Sequence, residues 1–137
     1  MRMFACASVI VLAAFSAPPS GRAQQPADQA GVSETITVRL SNFAFDPEHL
    51  RLKAGVPVRF RFVNESSGGH DFSAPAFFAA SSTLPGSSAP PNGDVAVGAH
   101  QTVEIAVVPR KPGKYALKCT HFLHSFFGMH GTVEVIP

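Results

Sequence analysis

Between Thr35 and Val135 apolar residues recur at every second position in short runs, and this alternation restricts the chain to half-buried β-strands. Ile36, Val38 and Leu40 share one face of the run 35–40, with Thr35, Thr37 and Arg39 on the other. The same pattern sets Leu50 and Leu52 against His49, Arg51 and Lys53, and Val58, Phe60 and Phe62 against Arg59 and Arg61. It returns over 103–107, 115–119 and 132–135. Turn residues separate the runs at Asp46-Pro47, Ala54-Gly55, Ser66–Gly69 and Lys111-Pro112-Gly113. Short strands with one apolar face and no long helical period predict an all-β, antiparallel sandwich or barrel. The exception is 74–93, where the apolar patch Ala76–Ala80 precedes a Ser/Pro/Gly-rich tail. That stretch reads as one short helix followed by a long surface loop, a length that tends to mark function or flexibility.

The N-terminus is of another kind. Arg2, the apolar run Phe4–Phe15 and the small-residue stretch ending Gly21-Arg22-Ala23 form the pattern of a secretory signal peptide over 1–23. The apolar run is short for a bilayer span, although a retained N-terminal anchor is the alternative. Residues 24–32 are small and polar and read as a disordered leader, so the folded domain is expected over 33–137. Removing Arg2 and Arg22 turns the formal charge of +2 into nine basic against nine acidic residues. That balance offers no basic patch for nucleic acid.

Cysteine usage narrows the chemistry. Cys6 leaves with the signal, and Cys119 remains alone in a chain sent to an oxidising compartment. Around it, Cys119, His121, His124, Met129 and His130 crowd one loop between two strands. Thiolate, thioether and imidazole together suit copper, and a His₂Cys set with a weak Met ligand is the blue-copper arrangement. Strand parity turns Cys119 inward with Leu117 and Tyr115, and Met129 inward with Val133 and Val135. Parity sends His49, His100 and His130 outward. His70, after Gly68-Gly69, and His124, five residues beyond Cys119, are then favoured as imidazole ligands. His121, only two residues from Cys119, is expected to be awkward as a ligand to the same ion and is assigned beside the site or to the surface.

Cys119, His124 and Met129 form C-x₄-H-x₄-M before a strand beginning Gly131-Thr-Val-Glu-Val, and this resembles the ligand loop of the cupredoxins, the small blue copper proteins. The spacing is longer than in plastocyanins and similar to that of rusticyanin and auracyanin. Pro112–Tyr115 resembles the family's turn into the copper strand, and Val63–Phe72 the region of its first histidine. The resemblance implies a Greek-key β-sandwich of about eight strands with one type 1 copper per chain, cycling between Cu(I) and Cu(II), held by His70, Cys119, His124 and Met129. It also implies an electron port at His124, with redox proteins docking through Phe122, Leu123, Phe126 and Phe127. Those phenylalanines have a second reading, as a cap on the barrel end with Phe77 and Phe78. His121 or His130 in place of Met129 is a further open geometry.

The functions in view are a one-electron carrier in the periplasm or another exported location, or a copper storage, delivery or resistance protein binding Cu(I). An enzyme fits poorly, because no acid–base pair accompanies the site. The chain is expected to be monomeric and, once the signal is cleaved, not inserted in a membrane. Where the family often has Asn after the first histidine, this chain has Asp71, which accepts hydrogen bonds and cannot donate as an amide does. The carboxylate is expected to orient the Cys119 loop and to lower the reduction potential by placing negative charge near the metal. Asp71→Asn should therefore raise the potential measured by redox titration; an unchanged value would refute the idea.

Overall fold

A computed structural model describes residues 31–122, 124 and 126–137. The expected signal over 1–23, nearly all of the leader over 24–32, and Leu123 lie outside the described residues. Ten strands follow one another as β1 (Glu34–Ser41), β2 (Ala44–Asp46), β3 (His49–Lys53), β4 (Val58–Asn64), β5 (His70–Ser73), β6 (Ser81–Thr83), β7 (Asp94–Val97), β8 (Thr102–Pro109), β9 (Gly113–Lys118) and β10 (His130–Ile136). They form two five-stranded sheets in the orders β2-β1-β4-β8-β6 and β3-β10-β9-β5-β7.

The six alternating runs all become strands with the expected faces, except that β8 also buries Ala106, which the alternation places beside Glu104 on the outer face. In β4, Val58, Phe60, Phe62 and Asn64 are buried while Arg61 is exposed; β3 buries only Leu50 and Leu52. Four further strands, β2, β5, β6 and β7, are three or four residues long, too short to carry a periodic signal, and they bring the count to ten against the eight or so that the resemblance implies. The sheets are mixed and not purely antiparallel: β1 runs parallel to β4 and β3 parallel to β10. The chain crosses from one sheet to the other between β2 and β3 and back before β4, and such crossovers are what parallel neighbours require.

The stretch 74–93 is more ordered than a long surface loop. Helix α1 (Pro75–Ala79) starts with proline in its first turn, where the missing N–H costs nothing, and Ser81 Oγ donates to Phe77 O at 2.8 Å near its C-terminal end. Phe77 points into the core, and β6 pairs with β8. No helix among the described residues is long and apolar enough to cross a membrane.

Between the sheets lies an aromatic core of Phe45, Phe60, Phe62, Phe72 and Phe77, each at most 4 % exposed. Phe72 sits at its centre, with ring centroids 4.6 Å from Phe62, 5.9 Å from Phe45 and 6.1 Å from Phe60. It lies two residues from His70 on the same strand, so this packing also anchors β5. Phe72→Ala should lower unfolding free energy by about 3–5 kcal/mol, read from urea titration.

Candidate metal centre

The two strands that frame the centre, β9 and β10, are antiparallel neighbours, with Lys118 opposite His130. Cys119 N donates to Met129 O at 3.0 Å, closing the eleven-residue connection just beyond that pair. Inside it, His124 N bonds His121 O at 3.0 Å and Met129 N bonds His124 O at 2.9 Å, so the loop folds back on itself. Cys119 and Met129 are both wholly buried, as their parity predicts.

The first histidine comes from the neighbouring strand. β5 pairs with β7 along its length and touches β9 through a single register pair, Ser73 with Lys118. Beyond that pair the strands part. Extending the register would face Asp71 with Thr120, and there the carboxylate takes over: Thr120 N donates to Asp71 Oδ1 at 2.6 Å, and the Thr120 hydroxyl donates to Oδ2. Both acceptor roles expected of Asp71 are realised. The parting opens the space in which His70, 2 % exposed, faces Cys119.

Three imidazoles meet the sulfur. The Nδ1 atoms of His124, His121 and His70 lie 3.5, 3.7 and 3.9 Å from Cys119 Sγ. Bonds of about 2.3 Å to thiolate and about 2.0–2.1 Å to imidazole place two donors of a common tetrahedral or trigonal ion about 3.5–3.8 Å apart. The donor set of His70, Cys119 and His124 therefore fits one soft transition-metal ion, and their ligating atoms lie within 4.8 Å of one another. His121 stands beside this set: its ring turns back to bring Nδ1 to the sulfur and to 3.4 Å from Asp71 Oδ2, with the side chain 43 % exposed. Asp71, Cys119 and His121 make a second compact triad sharing the same sulfur. Gly69 makes room for this ring, since a Cβ there would stand 3.2 Å from His121 Nε2.

The histidines parity sends outward, His49, His100 and His130, are exposed. His49 Nδ1 lies 2.9 Å from Thr132 Oγ1, and His130 Nδ1 is 4.0 Å from Glu48 Oε1, so both belong to the surface of β3 and β10. Phe122, Phe126 and Phe127 are 87 %, 80 % and 57 % exposed. Phe126 and Phe127 meet each other edge-on, while Phe77 and Phe78 pack elsewhere, with Phe60, Phe72 and Tyr115. Sequence reasoning missed Phe43, which meets the His124 ring edge-on at 5.3 Å and Phe127 at 5.4 Å. It sits in the β1–β2 turn at φ 63°, outside any alternating run. Ser66 and Asn64 were missed too, although Asn64 left a trace as a polar residue at an inward position of β4.

Burial shapes the protonation of the donors. It holds the His70 pKa below its ordinary 6.5, with the neighbouring His124 and His121 adding to the effect and Asp71 opposing it. Burial pushes the Cys119 thiol above its ordinary 9.0, while hydrogen bonds from the backbone N–H groups of Asp71 and His121 pull the other way. Without metal the pocket thus favours a neutral imidazole and a thiol, and a cation must displace the sulfur's proton.

The family described as "Cupredoxin-like domain" matches residues 5–135 of the sequence. Among solved structures, auracyanin B in space group P65 is similar, with 25 % identity over 77 % of this chain and 91 % of that chain at TM-score 0.58. Na-dithionite-reduced auracyanin from the photosynthetic bacterium Roseiflexus castenholzii superposes at TM-score 0.58 with 22 % identity, covering 78 % of this chain and 100 % of that chain. No curated protein matches by sequence.

Unfolding exposes both buried donors to water, which gives the metal-free protein a pH signature. His70 takes up a proton more readily when unfolded, so stability falls as pH drops below 6.5 toward the folded value. Cys119 ionises more readily when unfolded, so stability falls as pH rises above 9.0. Thermal midpoints should be highest between these limits, and Cys119→Ala should flatten the alkaline decline.

Proposed function

The chain belongs to the cupredoxin-like family, and from that premise we propose that it is an exported one-electron carrier holding one copper ion at His70, Cys119, His124 and Met129. The observation that carries the reading is a fully buried sulfur with the Nδ1 atoms of His124 and His70 at 3.5 and 3.9 Å. Bound copper would supply a one-electron Cu(I)/Cu(II) couple. The chain's own residues do the rest. Cys119 gives a thiolate, His70 and His124 give neutral imidazoles, and Met129 gives a buried thioether from a loop end tied to Cys119 N. The Asp71–Thr120 bonds hold the loop against β5, so the donors shift little when charge changes. Burial of Cys119, Met129 and His70 keeps water from the sulfur.

Electrons would pass at His124, which is half-buried beside the exposed Phe122, Phe126 and Phe127. An apolar patch of this kind suits brief docking of redox proteins, with Leu123 assigned to the same surface and Phe43 added to its rim. The near-zero charge of residues 24–137 favours such contact over long-range steering. We assign 1–23 as a secretory signal, 24–32 as a leader and 33–137 as the copper-binding domain of a periplasmic or otherwise exported monomer with no enzymatic activity.

One observation favours a second reading, copper storage or delivery. His121 is 43 % exposed on its side chain yet stands 3.7 Å from Cys119 Sγ, so solvent-borne Cu(I) meets a third imidazole at the sulfur. Loading residues 24–137 with Cu(II) distinguishes the two. A carrier gives intense visible absorption and a type 1 EPR spectrum, both lost in Cys119→Ser. Colour that survives Cys119→Ser refutes the ligand set, and colourless Cu(I) binding with fast release to a chelator supports delivery.

A further inference from the structure

Behind His70, on the side away from the sulfur, a chain of polar groups running from the buried Asn64 through the half-buried Ser66 reaches its other ring nitrogen. His70 Nε2 lies 2.8 Å from Ser66 Oγ. Ser66 Oγ in turn lies 2.7 Å from Asn64 Oδ1 and 3.1 Å from Gly68 O. Asn64 is 1 % exposed, and its amide has one possible orientation. Nδ2 faces three carbonyl oxygens, Gly68 O at 2.8 Å and Val97 O and Gly98 O at 3.0 Å each. Turning the amide over would set its oxygen against three acceptors. Oδ1 therefore faces Ser66, where it also accepts from Ser66 N at 2.9 Å.

Proton counting then runs in one direction. Asn64 Oδ1 and Gly68 O can only accept, so the single hydroxyl proton of Ser66 is committed to them. Ser66 Oγ has only lone pairs left for His70, and Nε2 must carry the imidazole proton. In a neutral ring Nδ1 is then the lone-pair nitrogen, and it is Nδ1 that faces Cys119 Sγ.

We propose that Ser66, oriented by the Asn64 amide, is a positioning residue that locks His70 in the Nε2–H tautomer and so presents Nδ1 as a metal donor before any metal arrives. The inference deepens the copper-site reading and rests on it for its use. Its geometry follows from the order of elements: strand β4 ends in Asn64, the turn 65–69 carries Ser66, and β5 begins with His70. Asn64 also ties the turn to β7 through Val97, so the tautomer is set by three elements of the fold. Without the hydroxyl, the opposite tautomer gains an acceptor, since Nδ1–H can donate to the sulfur. That form has no lone pair on Nδ1, the nitrogen that faces the sulfur.

The test is the tautomer itself, read on the metal-free protein by long-range ¹H–¹⁵N NMR of the His70 ring at neutral pH. Wild type should show only the Nε2–H form. Ser66→Ala should show both forms, and Ser66→Thr, which keeps a hydroxyl, should restore the wild-type pattern. Cu(I) affinity measured by chelator competition should drop about tenfold to a hundredfold in Ser66→Ala and recover in Ser66→Thr. Wild type in the Nδ1–H form overturns the proposal even if Ser66→Ala does not fold, and so does Ser66→Ala with an unmixed Nε2–H tautomer. A wild-type protein that has the expected tautomer yet binds no copper refutes the copper reading and leaves the tautomer lock standing.

Discussion

The carboxylate of Asp71 stands where two strands of one sheet stop pairing. Ser73 and Lys118 make a normal register pair, and one step further the strands would have to stay close for the ladder to continue. They part instead, and Asp71 bridges the gap by accepting from Thr120 N and the Thr120 hydroxyl. A side chain is longer than a backbone carbonyl, so this bridge holds the strands together at a wider spacing. The extra width is where His70 and Cys119 face one another. Without the bridge, the backbone N–H of Thr120 would be left seeking a partner at the start of the ligand loop. With ordinary pairing there would be no pocket.

Everything on the other side of the pocket is fixed by more conventional means. The aromatic core holds β5 from below through Phe72, and the Cys119–Met129 backbone bond shuts the loop at its base. Asn64 is the polar exception inside that apolar face, and its five hydrogen-bond partners are four backbone groups and one hydroxyl. Such a group is costly to bury unless every proton and lone pair is used. Here it is fully used, and the turn before His70 is rigid as a result. His70, Cys119 and Met129 are thus placed by the packing and hydrogen bonds of the fold itself.

Rigid interior and exposed apolar rim meet at His124. Its ring leans on Phe43 and faces the sulfur, while Phe122 and Phe126 extend into solvent. Phe43 holds a positive φ that a bulky residue rarely adopts, a local cost carried next to the site and not in the core. The stacked rings of His121 and His124 add a second feature, a sulfur with more nitrogen donors nearby than one ordinary site needs.

Read without a structure, the chain already determined its strands, their buried faces and the inward direction of Cys119 and Met129, because period-two alternation is a local property of backbone geometry. Parity likewise sent His49, His100 and His130 to the surface, where they are found. The short strands β2, β5, β6 and β7 were illegible because three or four residues hold no period, and the parallel pairs were illegible because pairing direction depends on crossovers far apart in sequence. Distance along the chain did not show how close His121 comes: the loop turns its ring back to the sulfur and to Asp71 on the neighbouring strand. Only the tertiary structure could bring Asp71 to Thr120, forty-nine residues apart, and Ser66 behind His70. Those contacts come from the parting of β5 and β9 and from a turn anchored on a third strand, and no periodicity in the sequence records either.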